Sequence, residues 1–171
     1  MDNNFNQQFD FKKALTDSAK SYFALLDNLI VLKSDGFVEN KIYKIRFFDT
    51  NFLHLTGLKT KLSPKEFFDK CLSETISEDD YSFGLKNDKK TIKRKLRNLI
   101  NIGSFFKQEI MVQESFIKNK VVCQIATSDN KCTIGFVDAK YYLRPKTILA
   151  NNHLDKDRPI YLIVPEIIKS H

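Results

Sequence analysis

The sequence predicts an α+β fold, with helices in the first two thirds packed against a mostly antiparallel sheet. Three observations carry this reading. Apolar residues recur at helical spacing in separate stretches of the first two thirds, and the last third is a series of short β-rich runs broken by turn signals. The length of 171 residues suits a domain that buries most of its apolar surface around one core. No repeat, linker or low-complexity tract divides the chain, so residues 10–171 are expected to form a single domain behind a flexible polar tail over residues 1–9.

Over residues 10–27, Phe11, Leu15, Ala19, Tyr22, Phe23 and Leu26 repeat as on one face of a helix. The apolar run 29–32 stops at Ser34-Asp35-Gly36 and reads as a strand ending in a turn, with Gly36 supplying a positive φ. Residues 41–48 alternate: Tyr43, Ile45 and Phe47 fall on one face, Lys44 and Arg46 on the other, as in a second, antiparallel strand. Asp49-Thr50-Asn51 then reads as a helix cap. Ser63-Pro64-Lys65-Glu66 opens another helix, with Ser at the cap, Pro in the first turn and Glu at the third position. Phe67, Phe68 and Cys71 are its expected buried side.

The pattern dissolves over residues 74–87, which read as a loop or a short irregular helix. Residues 89–102 are helical again, with Ile92, Leu96, Leu99 and Ile100 on one side. Lys86, Lys89, Lys90, Lys93, Arg94, Lys95 and Arg97 stand around that stripe. Four strands are expected at 110–116, 121–127, 132–137 and 160–164, with hairpin turns at Asn119-Lys120 and Asp129-Asn130. Between the third and fourth lies the segment 141–147, which Pro145 keeps extended or turned.

Lys and Arg outnumber Asp and Glu by 28 to 21, a net charge of +7 that attracts polyanions and makes nucleic acid the expected partner. The three cysteines have no paired spacing and the N-terminus is polar, which points to a reducing cytoplasm. No apolar run approaches the roughly 20 residues of a membrane span. His54, His153 and His171 are scattered, so neither a metal site nor a cofactor is expected. Asp155, Asp157 and Glu166 form no paired-carboxylate pattern, and no glycine-rich phosphate cradle is present.

Three features could carry chemistry, each with a structural alternative. Lys89, Lys90, Lys93, Arg94 and Arg97 either neutralise phosphates or form a solvated helix face. His54, set between two leucines, is either a general base with a pKa near physiological pH or a partly buried structural residue. In the 141–147 segment, Arg144 suits bidentate phosphate binding, Lys146 acts as a point charge, Thr147 offers a hydroxyl, and a tyrosine ring can stack on an RNA base. The alternative there is a loop with its tyrosines packed on the core.

Three stretches resemble a family of phage and mobile-element proteins grouped with the barnase, EndoU, colicin and RelE-like nucleases, in its fourth subgroup. They are Lys44-Ile45-Arg46-Phe47 running on to Phe52-Leu53-His54-Leu55-Thr56-Gly57, then Val112-Gln113-Glu114-Ser115-Phe116, then Ile134-Gly135-Phe136 leading to Tyr142-Leu143-Arg144-Pro145-Lys146-Thr147. The resemblance implies helices preceding a curved antiparallel sheet, a metal-independent ribonuclease activity, and His54, Arg144 and Thr147 as catalytic positions. Arg46, Tyr142 and Lys146, with the helical Lys89, Lys90, Lys93, Arg94 and Arg97, complete the expected RNA-binding set. The implied chemistry is attack of a ribose 2′-hydroxyl on the adjacent phosphorus. Three roles stay open at this point: a ribonuclease acting as a toxin in a bacterial host and held in check by an antitoxin, a non-catalytic protein that binds a host defence complex or nucleic acid, and a structural accessory.

Overall fold

The computed structural model describes residues 8–169; residues 1–7 of the expected tail, with Ser170 and His171, lie outside the described residues. Phe9 is described, and its ring packs edge-on against Phe11 with centroids 4.8 Å apart. Helix α1 (Phe11–Phe23) starts where the Asp10 carboxylate accepts from the Lys13 amide at 3.0 Å. It ends before Asp27, in a turn closed by the Leu25 amide donating to Tyr22. Helix α2 (Phe52–Thr56) follows a single 3-10 turn at Asp49–Asn51 and ends at Gly57, whose φ of 78° places it in the left-handed region. Helix α3 (Pro64–Leu72) begins as its sequence signature requires, the Ser63 hydroxyl accepting from the Glu66 amide at 3.2 Å. Helix α4 (Lys89–Leu99) is capped by Asp88, which accepts from the Thr91 amide at 2.9 Å. No described helix is long and apolar enough to cross a membrane.

Among the described residues, ten strands complete the fold: β1 (Asn28–Lys33), β2 (Ile42–Ile45), β3 (Lys59–Thr60), β4 (Tyr81–Ser82), β5 (Ile110–Lys118), β6 (Val121–Ser128), β7 (Cys132–Asp138), β8 (Leu143–Ala150), β9 (Tyr161–Ile163) and β10 (Glu166–Lys169). Eight form one sheet in the order β10-β1-β2-β8-β7-β6-β5-β9, and β3 and β4 form a small separate ribbon. All neighbours in the large sheet are antiparallel except β2 and β8, which meet in parallel at Ile45 and Leu143. The fold is therefore the expected α+β arrangement, with a curled sheet. The tight turn at Asn119-Lys120 has φ of 49° and 68°, the positive pair that a two-residue hairpin favours.

Three expectations need correction. The 141–147 segment is no loop: most of it is the first half of β8, an interior strand of the sheet. Its proline and tyrosines resemble turn composition, and only the partner strand β7 reveals the pairing. Gly36 lacks the positive φ expected of it. The residue is small for another reason, since a Cβ there would lie 3.0 Å from the Tyr161 ring. The fourth expected strand stops at Ile163, and β10, which no periodicity signalled, pairs at the far end of the sheet.

The large core gathers Leu15, Ala19 and Tyr22 of α1, Phe67 and Phe68 of α3, and Ile92, Leu96 and Leu99 of α4. They pack on the inward residues of the sheet, among them Ile30, Tyr43, Ile45, Ile125, Ile134 and Phe136. A second cluster of Phe116, Cys123, Ala126 and Leu154 forms apart from it. One carboxylate enters this apolar frame. Glu114 of β5 is only 7% exposed. It accepts the Tyr43 hydroxyl and the amides of Val38 at 2.7 Å and Glu39 at 2.9 Å. Burial pushes its pKa up, but these donors outweigh burial and hold it below the ordinary glutamate value. Glu114→Ala strands several buried donors and is expected to cost about 3 kcal/mol in urea unfolding. A depressed folded pKa means that the carboxylate's contribution is complete above the unfolded value and is lost as pH falls through the folded one. Acid titration of the wild-type unfolding midpoint below pH 4.5 should show this loss, and Glu114→Gln should abolish that component.

Candidate active site on strand β8

Strand β8 carries most of the polar residues of interest, and its neighbours decide where they point. On one side it pairs with β7 along its length, but β2 leaves it after Leu143. Helices α2 and α4 pack against the remainder. In the β7 register, Arg144 faces Val137, Pro145 faces Phe136, and Thr147 faces Gly135, so Lys146 is the extra residue of a β-bulge. In a regular strand, Arg144 and Thr147 would point to opposite faces. The bulge restores them to one face, because Val137 and Gly135 lie two apart on β7. It also accounts for Pro145, which sheets accept beside bulges and at unpaired edges. Gly135 is required here, since a Cβ would lie 2.6 Å from the Cys123 sulfur and 3.0 Å from the Thr147 methyl.

His54 projects from α2 toward this bulge and stays solvent-exposed, with part of its ring covered. Its pKa lies below the ordinary value of 6.5, first through burial and then through the positive charges of Lys146, Lys95 and Arg144. The backbone of Lys146 works in the opposite sense by hydrogen bonding. The structure thus brings His54, Arg144 and Lys146 together from distant parts of the sequence, with Thr147 next along the strand. It adds Lys95, whose ammonium is destabilised by burial. The signal for Lys95 was present in the sequence: it follows Ile92 by three and precedes Leu99 by four, at the edge of the apolar stripe. Among the described residues, Lys95, Arg144 and Lys146 form no ion pair with a carboxylate. A neutral imidazole thus stands beside three cations that no ion pair with a described carboxylate neutralises.

The other expected residues divide into two groups. Arg46 lies 4.7 Å over the ring of Tyr142, on the side of the β2–β8 junction that leads to Arg144. The cations of α4 do not form one phosphate-facing row. Lys93 and Arg97 cover the Phe9 ring, at 5.6 Å and 6.0 Å, and Lys89 covers Phe83 at 5.6 Å. Lys90 and Arg94 are exposed. At 100° per residue, Lys95 sits on one flank of the apolar stripe, and Lys89 and Lys93 sit on the other. Among the described residues, no group of three His, Cys, Asp or Glu comes together as a metal site.

The family model described as phage-Barnase-EndoU-ColicinE5/D-RelE like nuclease 4 matches residues 14–163, and the chain belongs to that family. Comparisons with curated proteins and with solved structures find no match. The matched span contains His54, Lys95 and all of β8.

The electrostatics of His54 can be read directly. Its ring protons should titrate in an NMR pH series below 6.5. Lys146→Met should move that midpoint upward, because it removes a repelling charge while burial stays; a midpoint that does not move would detach Lys146 from the imidazole.

Proposed function

We propose that this member of the nuclease family cleaves RNA at the β8 bulge by transesterification, with His54 as general base. The observation that carries the reading is the His54 imidazole, held below its ordinary pKa beside three cations that, among the described residues, form no ion pair with a carboxylate. At neutral pH such a ring is unprotonated and can accept the 2′-hydroxyl proton. The 2′-oxygen then forms a bond to the adjacent phosphorus, the bond from phosphorus to the 5′-oxygen breaks, and the products are a 2′,3′-cyclic phosphate and a 5′-hydroxyl. Arg144 and Lys146 stabilise the charge that gathers on the equatorial oxygens, and Thr147 donates its hydroxyl to them. The departing 5′-oxygen needs a proton. Lys95 fits that role, since burial makes its ammonium a stronger acid than an exposed lysine. Arg46 and Tyr142 hold the flanking RNA. A phage or mobile-element origin, action on RNA in a host cytoplasm and control by an antitoxin belong to this same reading.

The test is incubation of the protein with RNA in EDTA. Cleavage should persist and leave 2′,3′-cyclic ends, DNA should stay intact, and His54→Ala should lower the rate on the order of a hundredfold or more. The rate should rise with pH through the depressed His54 value, with the midpoint of that rise below pH 6.5. Full activity in His54→Ala would remove the base from the mechanism. A protein that binds RNA but never cuts it would favour the non-catalytic role.

The two sets of cations should separate in binding. Arg144→Ala should flatten the log-log salt dependence of RNA affinity by about one unit. Lys93→Ala with Arg94→Ala should leave turnover of bound RNA unchanged, because Lys93 lies on the flank of α4 away from Lys95 and Arg94 on its exposed back.

A further inference from the structure

Beside the turn that joins β7 to β8 lies a cavity of about 480 Å³, roomy enough for a nucleotide, which the cleavage chemistry does not use. Its walls include Asn40, Lys44, Gln124, Asp138, Tyr141 and Tyr142. The turn itself is tightly defined. The Ala139 amide donates to the Tyr142 carbonyl at 2.8 Å, and Lys140 takes a φ of 78°. One Asp138 carboxylate oxygen accepts the Lys140 amide at 3.1 Å. Among the described residues, Asp138 forms no ion pair, although Lys44 and Lys140 also line the cavity. Tyr141 is 73% exposed, an unusual position for a ring that contributes nothing to the core. Tyr142 is backed by the Arg46 guanidinium and is therefore held in place.

We infer that this cavity is a nucleobase subsite that takes guanine from single-stranded RNA, next to the phosphate held at Arg144 and Lys146. The inference rests on the proposed cleavage site and names the base that adjoins it. Tyr142 precedes Arg144 by two residues, a separation of about 7 Å along an extended chain, which matches one nucleotide step. A tyrosine ring offers any base a stacking surface, so the two tyrosines alone set no preference. Asp138 does set one. Guanine presents adjacent N1–H and N2–H donors on its Watson–Crick edge, and a carboxylate can accept both. Adenine and cytosine each present a single exocyclic amino group there, beside a ring acceptor that a carboxylate repels. Uracil presents one N–H between two carbonyls. The amides of Asn40 and Gln124 can serve the guanine O6, and Lys44 the neighbouring phosphate.

The experiment measures binding of 2′-O-methyl pentanucleotides, which lack the nucleophile and cannot be cut by this route, with G, A, C or U at the centre of a uridine frame. The guanine oligonucleotide should bind roughly tenfold more tightly than the others. Asp138→Asn should erase that preference, and Tyr141→Ala should weaken all four by roughly tenfold with an unchanged melting temperature. Equal affinity for the four bases, or a guanine preference that survives Asp138→Asn, overturns the subsite. Unmodified RNA separates the two readings. Guanine preference without cleavage would sink the catalytic reading and keep the subsite, and cleavage without base preference would do the reverse.

Discussion

The structure depends on a short covalent tether. Strands β9 and β10 lie at opposite ends of the hydrogen-bonded order, yet only Val164 and Pro165 separate them in the chain. Three peptide steps from Ile163 to Glu166 span no more than about 11 Å. A sheet of eight strands whose two edges must come that close can do so only by curling on itself. The contacts across the interior follow from this. Phe37, in the β1–β2 connection, packs edge-on against Tyr161 of β9 with centroids 5.1 Å apart, and Gly36 leaves room for that ring. Glu114 of β5 reaches Tyr43 of β2, although β6, β7 and β8 lie between those strands in the sheet order. Pro165 has no amide hydrogen to add to a ladder, so the two edges approach at that corner without that donor.

A sheet curled this way cannot pair every strand along its full length. The junction between β2 and β8 shrinks to a single register pair, and the free length of β8 must be covered by something else. The chain leaving β2 turns at once into α2, which packs there with α4. Helices fill volume but do not pair with a strand edge. The seam between them and β8 is consequently where polar groups can sit half-buried. Lys95 and Lys146 occupy it, with His54 at its exposed side, and among the described residues neither ammonium forms an ion pair that would relieve their mutual repulsion. A bound phosphate would relieve it. Under the proposed function, that repulsion is what would give the seam its affinity for an anion.

What could be read from the sequence was whatever is decided locally. Helical spacing placed α1, α3 and α4, the Ser63 cap fixed where α3 begins, and the hairpin turns separated the meander strands. Strand β8 escaped because its evidence is not local. Pro145 and the two tyrosines before it carry the composition of a loop, and the pairing that makes a strand from Leu143 onward is supplied by β7. The bulge at Lys146 is visible only in that register, and so is the reason that Arg144 and Thr147 share a face. Gly135 looked ordinary until Cys123 and Thr147 were seen to close on it from two different strands. Lys95 was the opposite case. Its place at the edge of the apolar stripe was legible, but it was grouped with cations that face solvent or aromatic rings.

The stretches that carry the family resemblance divide by what their polar atoms do. In the middle one, Gln113 donates to the Asp155 carbonyl at 2.7 Å and accepts the Asp155 amide at 2.8 Å, while Glu114 holds the 38–40 segment. Both side chains are consumed in joining loops to β5 and have nothing left for a substrate. In the first, the Thr56 hydroxyl donates to the Leu53 carbonyl at 2.6 Å and accepts the Leu58 amide at 3.2 Å. Gly57 then turns the chain where a Cβ would lie 3.0 Å from Ile92. A helix as short as α2 has too few internal bonds to hold a direction by itself. These two residues set it from its C-terminal end, against α4. His54 is left free of these structural bonds, close to the third motif, where Arg144 and Lys146 form no ion pair among the described residues. The proposed chemistry falls on these residues, whereas the polar atoms of Thr56, Gln113 and Glu114 are spent on holding α2 and the loops beside β5 in place.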